Sequence, residues 1–153
     1  GNSMMLKNKP HKKYSGESNS ALVNGIGGTV NYRDPSWQGF EATDLIATID
    51  LGELKNIQSV KIRFLQDQVV WIFLPKKIQI EHSVDGENFE LLHEFFPSND
   101  FSFTQDIFEF NHSMDEIASR YVRVRGYNIN SCPNYHPGAG KPSWIFADEI
   151  IVR

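Results

Sequence analysis

The 153-residue sequence has a single cysteine, Cys132. No internal disulfide can form, and the residue says little about redox compartment. There is no apolar run long enough to span a bilayer and no visible signal peptide. The opening GNSM looks like a cloning remnant, so the missing signal carries no message about secretion. Positive charge is not in excess: 15 Lys and Arg stand against 19 Asp and Glu, for a formal net charge of −4. That balance argues against a protein that tracks nucleic-acid phosphates. No internal repeat and no alternation of strand and helix patterns is present. The length allows one domain with a full core.

What the chain does have is phenylalanine, turn residues and short alternating runs. Residues 1–13 are expected to be tag remnant and linker, with a single domain over 14–153. Residues 1–18, polar and basic with little periodicity, read as a loose lead-in, and the Lys/His cluster there as a solvated linker. LIATIDLG (45–52) is apolar and β-branched. NIQSVKIRFLQ (56–66) can turn Ile57, Val60, Ile62 and Phe64 to one side. KKIQIEHS, then VDGEN, then NFELLHEFF read as a hairpin over 76–96, with Asp-Gly in the turn. QDIFEFN (105–111), RYVRVRGYN (120–128) and WIFADEIIVR complete the strand set. One short stretch, SMDEIAS (113–119), has helical spacing, with Ser113 as N-cap. About seven or eight short strands in one domain predict an antiparallel β-sandwich or jelly roll, with function on loops at its ends.

The order of the pieces is informative. ALVNGIGG, YRDPSWQGF, IDLGELKNIQSVKIRF, PKKIQIEHSVDGENF, RYVRVRGYN and FADEIIV succeed one another in a pattern that resembles the discoidin-like, or coagulation factor 5/8 type C, family. WQGFEATDLIATIDLG, FLQD followed by WIFLPKKIQI, and CPNYHPGAGKPSWIFADEIIV resemble the version attached to bacterial family 20 β-hexosaminidases. Family 32 carbohydrate-binding modules share that pattern. The resemblance implies an all-β, eight-stranded antiparallel jelly roll, a glycan site on the loops at one end, often one structural calcium ion, and no catalysis in the domain itself. It further implies a glycan and the parent enzyme's catalytic domain as partners, no nucleic acid or membrane, a monomer, and a secreted, periplasmic or cell-surface bacterial setting. The sequence departs from the family pattern at Asn24-Gly25, where Asp-Gly is usual.

For the calcium ion, the glycine-rich LVNGIGGTV turn offers carbonyls plus Asn24 and Thr29 oxygens, and the resemblance adds Glu149. Asn24 in place of Asp removes one negative charge, which lowers the expected affinity. For the sugar, a flat aromatic ring and a few planar polar groups suit a pyranose. Three segments carry that mix: YRDPSW, QDQVVWIF and NYHPG. Trp71 and Tyr135 are the stacking candidates; Arg33, Asp67 and His136 are the hydrogen-bonding candidates. Trp37, Phe40 and Trp144 read as packing. A nucleophile pair of Cys132 and His136 lacks an orienting third group. Asp148 and Glu149 point to opposite faces of a strand, and the five histidines have no zinc-ligand spacing. Two other readings are a spacer that packs on a catalytic neighbour, and a lipid- or protein-binding domain with VVWIF as its apolar spike.

Overall fold

The computed structural model describes residues 2–16 and 21–153. Seven strands follow in order: β1 (Ser3–Leu6), β2 (Gln38–Glu41), β3 (Leu45–Asp67), β4 (Lys77–Ser83), β5 (Glu90–Phe95), β6 (Gln105–Tyr127) and β7 (Trp144–Val152). They pair antiparallel in the order β2-β7-β3-β6-β4-β5, with β1 on the other side of β3. The all-β, antiparallel class is as expected; the count is seven where eight strands were expected. The reason lies in β3 and β6, each 23 residues long. The first half of β3 pairs with β1 and the last part of β6, and its second half pairs with β7 and the first part of β6. Each strand therefore passes through both layers of the sandwich, turning at register shifts between Asp50 and Lys55 and between Ile57 and Ser59. Bulges and bends of this kind let a strand change sheets.

The core lies between the layers. Ala47, Ile49, Ile78, Ile80, Val122 and Val124 from one layer meet Val60, Ile62, Phe64, Ala147 and Ile150 from the other. All are essentially inaccessible to water, and each large side chain buried this way contributes about 1.5–3 kcal/mol. The 76–96 hairpin forms as expected, with Ser83 and Asp85 capping its turn through Gly86, Glu87 and Asn88 N–H groups. On the outer face, Arg120, Arg123 and Arg125 each pair with a carboxylate, of Asp50, Glu81 and Asp44.

Two expectations are corrected. SMDEIAS (113–119) is strand, not helix. Its half-buried Met114 and Ile117 are three residues apart because the register shift opposite Ile57 and Ser59 resets the alternation there. That spacing imitates one helical turn. The lead-in is not loose throughout either: Ser3–Leu6 pairs with Asp50–Ala47, and Lys12–Tyr14 forms a 3-10 turn. Tyr14 then packs on Tyr32, Trp144 and Phe146. Among the described residues no helix is long and apolar enough to cross a membrane.

Candidate functional site

Three connections meet at one end of the sandwich, and a four-residue turn joins them. β3 ends at Asp67, and Asp67 and Ile72 exchange both backbone hydrogen bonds at 3.0 Å around residues 68–71. Trp71 closes this turn with φ of 69°. A bulky side chain in the left-handed region is strained, and such strain persists only where surrounding contacts impose it. Here they do. The Trp71 ring lies against Gly138 of the last loop, where a Cβ would come within 2.8 Å of the indole. Glycine at 138 is what allows the contact.

Gln68 is the hub. Its side chain is almost wholly buried. Its amide nitrogen donates to the Asp100 carbonyl at 2.8 Å, and its amide oxygen accepts from the Tyr135 hydroxyl at 2.9 Å. That hydroxyl is equally close to the Asn99 carbonyl and shares its one proton between the two. The Gln68 backbone carbonyl takes a third bond, 2.6 Å from His136 Nε2. Asn99 in turn uses both ends of its side-chain amide on Leu74, accepting from its N–H at 2.8 Å and donating to its carbonyl at 2.7 Å. It acts as a one-residue strand partner. The 97–104 segment is thereby stapled to the turn, and it presents Phe101 and Phe103, 57% and 60% exposed. Phe101 stands edge-on to Phe103 and to Tyr135, with centroids 4.5 and 5.5 Å apart. The result is an aromatic shelf on the surface.

The last loop is rigid at its base. Buried Asn128 donates to the carbonyls of Phe40 and Thr43 and accepts from Asn130 N–H and Ser143 hydroxyl. Cys132 exchanges backbone bonds with Lys141 and Gly140. Burial pushes the Cys132 thiol up from its ordinary value, so it is held as an inert thiol.

Among the sugar candidates the placement is uneven. Trp71 and Tyr135 come together around Gln68, and Tyr135 keeps 41% of its surface exposed. Arg33 is exposed, its guanidinium over the Tyr32 ring at 5.1 Å. It borders an open pocket of about 390 Å³ with Lys13, Tyr14 and Asp34, and the Tyr32 beneath it packs with Val70 on the cluster of Trp37, Leu65, Ile72 and Phe146. His136 and Asp67 do not face solvent. His136 is 6% exposed, with Nε2 on the Gln68 carbonyl and Nδ1 accepting Gly138 N–H at 2.9 Å. Those partners assign the proton to Nε2 and leave no nitrogen free for a ligand. Asp67 is 1% exposed and accepts from Gln105 at 3.3 Å; burial raises its carboxyl above the usual range. Gln68, Asn99, Phe101 and Phe103 were not anticipated. The signal available was FPSNDFSFT, two phenylalanines held in a Ser/Asn/Asp stretch with no strand pattern. Of VVWIF, only Val69 at its leading end is exposed; Val70 and Trp71 are half-buried and Ile72 and Phe73 buried.

Two of the candidate calcium ligands use their side-chain oxygens within their own turns. Asn24 Oδ1 accepts Ile26 N–H at 2.9 Å, and Thr29 Oγ1 accepts Asn31 N–H at 3.3 Å. The carboxylate that reaches the glycine turn is Asp148, whose Oδ2 accepts Gly28 N–H at 2.6 Å, while half-exposed Glu149 sits opposite Arg63 in the β3–β7 register. Burial raises the Asp148 carboxyl to about 6.

A sequence model of the F5/8 type C domain matches residues 8–140. The chain belongs to this family. Domains of this type are non-catalytic binding modules. No curated protein matches the sequence. Solved structures do. CpGH89CBM32-5, a family 32 carbohydrate-binding module from Clostridium perfringens in complex with GalNAc-β-1,3-galactose, is 16% identical with a TM-score of 0.59, covering 99% of this chain and 94% of that one. Chitosan-binding module 1 of a chitosanase/glucanase from Paenibacillus is 14% identical with a TM-score of 0.63, covering 99% and 93%. A family 29 fucosidase from Ruminococcus gnavus, in complex with fucose, is 14% identical with a TM-score of 0.64; the match covers 99% of this chain and 25% of the fucosidase. At these identities the likeness of this F5/8 type C domain to each is one of fold.

Proposed function

We propose that this F5/8 type C domain is the carbohydrate-binding accessory domain of a secreted or periplasmic bacterial glycoside hydrolase. It binds a terminal galactose- or N-acetylhexosamine-type sugar at the loop end described above and holds the enzyme near its glycan. The observation that carries this reading is the aromatic shelf of Tyr135, Phe101 and Phe103 beside the Trp71 turn. A sugar has a weakly apolar C–H face, and aromatic rings supply a matching surface. The rings are pre-ordered by Gln68 and Asn99, so little side-chain entropy remains to be lost on binding. Exposed Arg33 and Asn134 supply polar contacts at the rim. Two of the three neighbours named above are carbohydrate-binding modules, which supports the same class. Affinity should be weak per site, in the range of about 0.1–1 mM, and strengthened by multivalent display.

The test is a glycan array probed with a multivalent form of the domain, with Tyr135→Ala alongside. Binding to galactose- or N-acetylhexosamine-terminated glycans, lost in the variant, is the expected result. Silence of the wild type on such a display would refute sugar binding and leave the spacer reading, in which the domain packs on its catalytic neighbour. The lipid-binding alternative loses the spike expected for it, because VVWIF offers only Val69 to the surface.

A further inference from the structure

Arg63 lies on β3 beside β7, and its side chain is only 17% exposed. It turns inward, onto the glycine turn that precedes the Arg33 loop. Its Nη2 donates to the Gly28 carbonyl at 3.2 Å and lies 3.4 Å from Asp148 Oδ2. The same Asp148 oxygen accepts Gly28 N–H, and the Asp148 side chain is wholly inaccessible to water. Any Cβ at Gly27 would collide with the guanidinium. The sequence keeps glycine there, and the space it leaves is filled by the arginine. A buried carboxylate, a backbone carbonyl and a single positive charge therefore meet at one point.

We propose that Arg63 is the built-in cation of this turn, standing in for a divalent ion, and that the domain binds no calcium there. The donor chemistry favours a guanidinium. Calcium takes six to eight oxygens, but Asn24 Oδ1 and Thr29 Oγ1 are spent on backbone N–H groups of their own turns. The Gly28 carbonyl already faces Arg63, and Asp148 Oδ2 is divided between Gly28 and Arg63. A divalent ion at this point would sit against a fixed positive charge that does not lose its proton. Asn24, where the family pattern has Asp, removes a further anionic ligand. The guanidinium, by contrast, reaches both the Gly28 carbonyl and the Asp148 carboxylate through Nη2, at 3.2 and 3.4 Å. The latch extends to the neighbouring loop. Thr29, next to Gly28, donates its N–H to Asp34 Oδ2 at 3.0 Å and accepts Trp37 Nε1–H at 2.8 Å. Arg63 is thus a positioning residue for the loop that carries Arg33.

The experiment is thermal unfolding of the whole chain in EDTA and in millimolar calcium chloride, with calorimetric titration of calcium, for wild type, Arg63→Gln and Arg63→Lys. Wild type should melt at the same temperature in both buffers and give no calcium heat. R63Q should melt several degrees lower in EDTA and recover in calcium, because the turn's oxygens then lack a counter-charge. R63K keeps a charge and should stay indifferent to calcium. Saturable calcium binding or a calcium-dependent midpoint in the wild type would overturn the proposal. So would an R63Q that melts with the wild type, one that is destabilised yet blind to calcium, or an R63K that responds to calcium. The wild-type and R63K measurements decide the matter even if R63Q does not fold.

Discussion

His136 belongs to the loop that carries the exposed Tyr135, yet its imidazole points into the protein. Replacing it by alanine separates a buttress from a ligand contact. The substitution strips the hydrogen-bond partner from buried Gly138 N–H and one of two partners from the Gln68 carbonyl, which keeps the Trp71 N–H at 3.1 Å. A buried N–H left unpaired costs about 1–3 kcal/mol, and the lost second bond to the carbonyl adds to it. The ring also stands edge-on to Trp71 and Phe73, at 6.1 and 5.3 Å between centroids, so a hole opens beside them. Water entering that hole offsets part of the loss, and about 2–4 kcal/mol in total is a fair expectation. Unfolding entropy is about 2.1 cal/mol/K per residue, or roughly 0.3 kcal/mol/K for a chain of this length. The midpoint should then fall by about 6–12 °C. Fluorescence-monitored melts give that number, and urea unfolding should show a lower midpoint at unchanged slope. Sugar binding, measured well below the melt, should weaken only as far as Tyr135 loosens. A variant that melts within about 2 °C of wild type but has lost binding would show that His136 touches the ligand, and the reasoning from its buried hydrogen bonds would be wrong.

Two further outcomes follow from the hairpin turn and the lone thiol. Asp85 is held well below the usual carboxylate range by N–H groups of Asn88 and Glu87, the Asn88 side chain and the Ser83 hydroxyl. A depressed folded-state value means that its stabilisation is present above about pH 4 and is lost as pH falls further. Asp85→Asn should therefore be less stable than wild type at neutral pH, with the gap closing in acid; pH-stepped urea melts check this, and a constant gap would refute it. Cys132 is buried, with its thiol pushed up by burial, so an alkylating reagent should label the native protein far more slowly than the urea-unfolded chain. Equal rates, read by intact-mass spectrometry, would contradict its placement.

Much of the framework was legible because alternation is a local signal. The 76–96 hairpin follows from Ile78 and Ile80 facing inward and from Asp85-Gly86, where φ is +80°. The continuity of β3 was not legible, since Gly52 at φ +87° and the shift at Ile57 look like strand ends in a linear reading. The apparent helix over 113–119 arose from that same irregularity. At the site, residue type singled out Tyr135 and Trp71, which the structure brings together around Gln68, and Arg33, which is exposed beside Tyr32. It could not reveal that His136 spends both ring nitrogens internally or that Asp67 is buried, because the decision rests on distant partners. Gln68 and Asn99 escaped notice for the same reason: their side chains act on residues 32 and 25 positions away. A lone buried amide inside an apolar stretch has no sequence signature of its own.

The two 23-residue strands have a consequence for how this domain comes apart. Each layer contains a ladder of the same pair, β3 and β6, whose pairing runs from Leu45–Gly126 to Asp67–Gln105. Neither layer can lose its register while the other keeps its own, so there is no half-folded state with one sheet intact. Unfolding should be a single concerted event, and assembly must wait until the segment from residue 68 to residue 104, with its own hairpin, has closed the distance between the two strands. A module built this way offers a protease no stable fragment to release: it is whole or it is lost.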